Sequence, residues 1–128
     1  MNGETERLQR ELYKIKREID IHGKMHTFYR DVLNDDGEPT GEIKQIVCTC
    51  GLLHVSGGYV ARETSAGTET RTKREPMLLL RWEEVEEVQN RDFVILNNYR
   101  YNVINKRNVN EYNIVADLSL EVVLNGYN

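Results

Sequence analysis

Near the end of the chain, Ala116, Leu118, Leu120 and Val122 alternate with Asp117, Ser119 and Glu121. Strict alternation puts one row of side chains on a dry face and the next on a wet one. That is the pattern of a half-buried antiparallel strand and not of a helix. This strand, Ile114–Val123, is the clearest period-two signal in the 128 residues. Because no helical pattern alternates with the strands that precede it, a βαβ fold is excluded in favour of an antiparallel one.

The preceding segments agree. Lys24–Leu33 carries Thr27, Phe28, Tyr29 and Val32, residues that favour strands. Asn34-Asp35-Asp36-Gly37-Glu38-Pro39-Thr40-Gly41 is a turn cluster, where Asn and Asp bond back to the backbone and Gly supplies positive φ. Ile43–Val55 is a second strand region, kinked at Gly51, and Met77–Trp82 a third. Phe93–Leu96 and Tyr99–Ile104 flank Asn97-Asn98, which predicts a two-residue type I′ hairpin because Asn tolerates the left-handed region. Glu83–Glu87, with Val85 interleaved, reads as an acidic connection. The expected inward set is Phe28, Leu52, Leu79, Ile95, Val103, Leu118 and Leu120.

The start of the chain differs. Leu8, Leu12, Ile15 and Ile19 fall on one face of a helix, with opposite-charge pairs such as Arg7/Glu11 on the rest of its surface. The helix is expected over about Glu4–Ile21, with Gly23 as its stop. Two packings suit so narrow a stripe: against the chain's own domain, or on a neighbouring subunit. The organisation is thus a helical lead, residues 1–23, and one mainly β domain, residues 24–128. That domain is a small antiparallel barrel or sandwich with a long polar loop over 56–75.

Composition narrows the function. Seventeen basic against 21 acidic residues leave a net charge of −4, which excludes a generally basic, DNA-coating protein. No apolar run is longer than the four residues of Met77–Leu80, far too short for a membrane span, and the polar start has no signal-peptide core. Two cysteines one residue apart cannot form a disulfide framework, so the chain reads as soluble and made in a reducing compartment.

Few residue sets suggest chemistry. Cys48, Cys50 and His54 are close in sequence, but a structural zinc site needs four ligands, commonly as two separated pairs. No nucleophile motif surrounds either cysteine or Ser56, Ser65 and Ser119. The glutamates of 83–87 read as a solvated face, and Gly57-Gly58 lacks the Lys-Ser/Thr of a phosphate loop. Phe93, Tyr99 and Tyr101 on one hairpin suggest a stacking platform for single-stranded nucleic acid, against which stands the acidic balance. The candidate interaction residues are Arg62, Arg71, Lys73 and Arg74 in the polar stretch, largely offset by Glu63, Glu69 and Glu75. Long loops in small domains tend to be functional, and this one is expected to order only in an assembly.

Several stretches, in order, resemble a family of tailed-bacteriophage and prophage neck proteins, the head-closure or stopper proteins of the head–tail connector. They are Thr27-Phe28-Tyr29-Arg30, Asn34 to Glu42, Gly51-Leu52-Leu53-His54, Lys73 to Leu79, Asp92 to Val103, and Ile114 to Val123. The resemblance implies a β-barrel subunit in a ring of six or twelve copies between a portal-bound adaptor and the tail. Such a ring closes the DNA channel and docks the tail terminator or tail tube. It implies a virion location, non-specific contact with packaged DNA in the channel, no membrane partner, no catalysis, no cofactor and no metal. The alternatives are another tail component (tail-terminator, tail-completion or baseplate protein) and a small nucleic-acid-binding β-barrel.

Overall fold

The computed structural model describes residues 3–64 and 67–123, and for 55–75 the backbone alone. It opens with helix α1, Gly3–His22, whose buried Leu12 and Ile19 lie on the predicted stripe. The strands follow as β1 (Lys24–Leu33), β2 (Pro39–Thr64), β3 (Gly67–Arg81), β4 (Phe93–Leu96), β5 (Tyr99–Asn108) and β6 (Val115–Val122). These six, among the described residues, form one antiparallel sheet in the order β1-β2-β3-β6-β5-β4. The sheet then returns to its first strand, because Tyr29 of β1 pairs with Phe93 of β4.

Local chemistry forms the turns as expected. Asn34 Oδ1 accepts the amides of Asp36 and Glu38, each at 2.9 Å, and Gly37 takes φ 80°. Asn97 and Asn98 have φ 52° and 70°, the paired positive values of a type I′ turn, with Leu96 opposite Tyr99. Gly23 ends the helix, but for a different reason from the one expected. Its amide donates to Ile19 O at 2.9 Å, and a Cβ there would sit 2.5 Å from that oxygen and 2.7 Å from Cys50 Sγ. Close approach of β2 to the helix end therefore requires glycine, not a left-handed turn. Gly51 is likewise a packing glycine. It is the last residue of β2 paired with β1 and the first paired with β3, and a Cβ would meet Leu80 at 3.2 Å and His26 at 3.3 Å.

Inside the ring, Phe28, Leu78, Leu80, Val94, Leu96, Val103, Ala116, Leu118 and Leu120 pack together. The acidic connection contributes Val85 and Val88 to the same core, both fully buried. Lys106 Nζ ties that connection to β5 by donating to Val85 O at 3.0 Å and Glu86 O at 3.2 Å.

A second cluster lies on the outer face of β2, β3 and β6. There Leu12, Ile15 and Ile19 of the helix cover Cys50, Leu52, Leu79, Ile114 and Val115. The helix packs on its own domain. Lys16 reinforces it with a 2.9 Å bridge to Glu83, and Arg81 with a 3.3 Å bridge to Asp20.

This outer cluster corrects the inward set. Leu52 and Leu79 are half-buried under the helix, while Leu78 and Leu80 face the ring interior. Ile95, also expected inside, is 49% exposed between buried Val94 and Leu96. Both errors fall in runs where every residue is apolar, so alternation carries no information about which row faces in.

The return from β4 to β1 is held mainly by side chains. Tyr29 and Phe93 stack at 5.5 Å, and the Arg100 guanidinium lies 3.7 Å above the Phe93 ring while bridging to Asp31 at 2.7 Å. Beside them Arg30 makes a two-pronged contact with Asp92, Nε to Oδ1 at 2.7 Å and Nη2 to Oδ2 at 3.0 Å. Asp92 is 1% exposed and also accepts the Gln89 amide at 2.8 Å. The Asp92 hydrogen bond, outweighing partial desolvation, holds the Arg30 guanidinium more firmly protonated than usual.

Candidate interaction surface

The expected polar loop over 56–75 is not a loop. β2 and β3 continue through it as a two-stranded antiparallel ribbon, ten residue pairs from Val55 opposite Pro76 to Thr64 opposite Gly67. At a strand rise of ~3.4 Å this is about 30 Å of ladder. Over that length the two strands pair only with each other among the described residues, since β1 reaches β2 no further than Gly51 and β6 reaches β3 no further than Met77.

The four candidate basic residues all fall on this ribbon. Arg62 stands opposite Glu69, Arg71 opposite Val60, Lys73 opposite Gly58 and Arg74 opposite Gly57. Their side chains, and with them the expected contacts, lie outside the described residues. The ribbon's strands lack an apolar row, the pattern by which a half-buried strand is legible in a sequence. A weaker sign was present: Thr68, Thr70 and Thr72 recur every second residue, and Tyr59-Val60 also favours β structure.

At the foot of the ribbon is a polar pocket lined by His54, Met77, Asn105, Arg107, Asp117 and Ser119. Asp117 was expected on the wet face of β6, yet it is only 5% exposed. Arg107 donates to its Oδ2 at 3.2 Å, and His54 Nε2 lies 3.8 Å from its Oδ1, beyond hydrogen-bond reach. The long Arg107 side chain folded over the carboxylate accounts for the burial of an outward position.

Other candidate sets are separated by the fold. Cys48 is exposed, whereas the Cys50 thiol points to the helix end and donates to Ile19 O at 3.2 Å. Among the described residues no three His, Cys, Asp or Glu side chains stand together as a metal-ligand group. Phe93, Tyr99 and Tyr101 do not form one platform. Arg100 and Tyr29 cover Phe93, Tyr101 packs against the interior core, and only Tyr99 is exposed.

Within the acidic connection, Glu83 and Glu84 are engaged by Lys16 and Arg81 of the same chain. Burial opposes the charge on Glu83. The hydrogen bond from Lys16, its own backbone amide and the charges of Lys16 and Arg81 nevertheless hold its carboxyl below the usual range.

No helix among the described residues is long and apolar enough to cross a membrane. No protein-family model and no curated protein matches the chain.

Proposed function

We propose that this chain is a structural subunit of a bacteriophage or prophage neck, a head-closure protein. In this reading the ring of strands is the small β-barrel of that family. Copies assemble six- or twelve-fold beneath a portal-bound adaptor, close the DNA channel and dock the tail. The observation that carries the reading is the ribbon: a ten-pair ladder extending from a compact sheet, with no ladder partner on either outer edge among the described residues. An isolated two-stranded ribbon is marginally stable in water. Its free edges are suited to pairing with a neighbouring subunit, and rings are built from one heterologous contact repeated until it closes. Arg62, Arg71, Lys73 and Arg74 would recur around such a ring, so a modest charge per subunit becomes a concentrated field near packaged DNA or an acidic neighbour. The acidic side chains of that neighbour would be Glu86 and Glu87, since Glu83 and Glu84 are already paired.

The test is genetic and structural. The gene is deleted from the phage or prophage genome that carries it, particles are induced, and the products are imaged. Heads lacking tails and leaking DNA are expected. Normal yields of tailed, infectious particles would overturn the proposal. Complementation with a chain whose residues 56–75 are replaced by a short Gly-Ser link should leave the domain folded and fail to restore tail joining.

A further inference from the structure

Two buried polar atoms face each other just beyond hydrogen-bond reach. His54 Nε2 and Asp117 Oδ1 are sealed from solvent, and neither has a hydrogen-bond partner among the described residues. They lie 3.8 Å apart. A buried carboxylate oxygen without a donor is costly, and in native folds such an atom marks a bound water or an ion. The space beside these two atoms admits no water molecule.

Strand register places them on one face of the sheet. Met77 stands opposite His54, Ser119 opposite Met77 and Asn105 opposite Ser119, a row that crosses β2, β3, β6 and β5. Asp117 lies one row nearer the helix, two residues from Ser119 and so on the same face, between Leu79 and Arg107. Leu79 is covered by the helix and gives the site a dry wall. The two rows line the polar pocket of about 440 Å³ at the foot of the ribbon.

Arg107 donates to Asp117 Oδ2 at 3.2 Å and leaves Oδ1 turned to His54. Since 63% of the Arg107 side chain is in solvent, its charge is largely screened, and a second cation at Oδ1 still meets a carboxylate. An imidazole nitrogen with a carboxylate oxygen is a donor pair of zinc, each bonded at about 2.1 Å. One ion so bonded holds the two atoms ~3.4 Å apart at a tetrahedral angle. The observed 3.8 Å needs a shift of only about 0.4 Å to match. A proton on His54 would join the same atoms only after the ring moves about 0.9 Å, to ordinary hydrogen-bond length.

We infer that His54 Nε2 and Asp117 Oδ1 bind a divalent transition-metal ion of the zinc class. Ser119 and Asn105 offer neutral oxygens on the same pocket wall, and Arg107 holds the carboxylate so that one oxygen alone is free for the metal. Two strong ligands make an open and modest site, unlike a four-ligand structural one. Of the set Cys48, Cys50 and His54, only His54 takes part. The inference does not depend on the neck reading, because no ribbon residue is a ligand.

Isothermal titration of zinc chloride into the full chain tests it, at about pH 7.5 in a buffer that does not bind metals. One site per chain with a Kd of about 10–100 µM is expected. His54→Ala and the isosteric Asp117→Asn should each weaken binding about tenfold or more. His54 keeps 38% of its side chain exposed, so His54→Ala should leave the urea midpoint of the metal-free protein in place. Magnesium at about 1 mM should not bind, because it does not favour imidazole. NMR spectra of the imidazole nitrogens give a readout independent of stability: zinc should move the His54 signals and leave those of His22 and His26 unchanged. No saturation by about 1 mM zinc, equal binding of magnesium, undiminished binding by His54→Ala, or zinc effects confined to His22 and His26 would each overturn the inference. So would a His54 ring that is doubly protonated and bonded to Asp117 at the same pH and that zinc leaves unmoved, since the two residues would then be an ion pair alone.

Discussion

The Arg30–Asp92 contact should decide whether the sheet stays closed. Asp92 is sealed from solvent, with 2% of its side chain accessible, and satisfies its charge with two Arg30 bonds and the Gln89 amide. Replacing Arg30 with Met leaves that carboxylate buried with one donor, so a cost of about 4 kcal/mol is expected, within the usual penalty for breaking a buried pair. Asp92→Ala strands the other partner, but Arg30 keeps 34% of its side chain in water and can be rehydrated. Its cost should be smaller, about 2–3 kcal/mol, most of it from the lost charge-assisted bonds and the orphaned Gln89 amide. The double variant leaves no unpaired buried charge. It should cost about 3 kcal/mol instead of the ~6–7 of the sum, a coupling of more than about 2 kcal/mol. Urea unfolding at pH 7, followed by the fluorescence of the single tryptophan, Trp82, measures all four proteins. Amide exchange at Phe93 should accelerate in both single variants as the seam opens. If the single costs were each below about 1 kcal/mol and additive within about 0.5, the pair would behave as an exposed one. Ring closure would then rest on other contacts.

Gly23→Ala should cost about 2 kcal/mol or more, because its Cβ would press on two backbone oxygens, those of Ile19 and Gly51, as well as Cys50 Sγ. Thermal unfolding reads this, and a change below about 0.5 kcal/mol would mean that the helix end is not packed as described. Asn98→Gly should instead stabilise by a few tenths of a kcal/mol, since φ 70° is strained for a residue with a Cβ; destabilisation would contradict the type I′ geometry. Burial, and then the nearby charge of Lys24, lower the His26 pKa from 6.5 against an opposing backbone hydrogen bond at Gly51. The unfolded chain therefore takes up this proton first, so the contribution is full above about pH 6.5 and declines with acid. His26→Gln should flatten the dependence of the urea midpoint between about pH 7 and pH 5, and an unchanged slope would refute the assignment. Finally, the isolated subunit should be monomeric or weakly associated and form rings only on a connector template, by avidity; light scattering that finds a closed ring of free protein at micromolar concentration would contradict this.

Much of the fold is legible in the sequence where one short stretch holds the whole cause. Asn97-Asn98 carries its own turn geometry, and Asn34 supplies the oxygen that folds the turn around it. The stripe of Leu12, Ile15 and Ile19 names the helix face, and Leu118 and Leu120 name the inner row of β6. What is not legible there depends on partners far along the chain. Met77–Leu80 is apolar throughout because the ring interior takes Leu78 and Leu80 while the helix takes Leu79, and no periodicity within the run can assign the rows. The ribbon's register continues outward from the apolar ladder of Leu52 to His54 against Leu79 to Met77, so its strands inherit pairing that their own composition does not demand. Closure of the sheet joins Arg30 to Asp92 and Arg100 to Asp31, which are 62 and 69 residues apart. Local chemistry can settle a turn or a helix face because the interacting groups are already neighbours. Which charges meet across a seam, and which apolar row faces inward, is settled only when the folded chain brings distant segments together and excludes water between them.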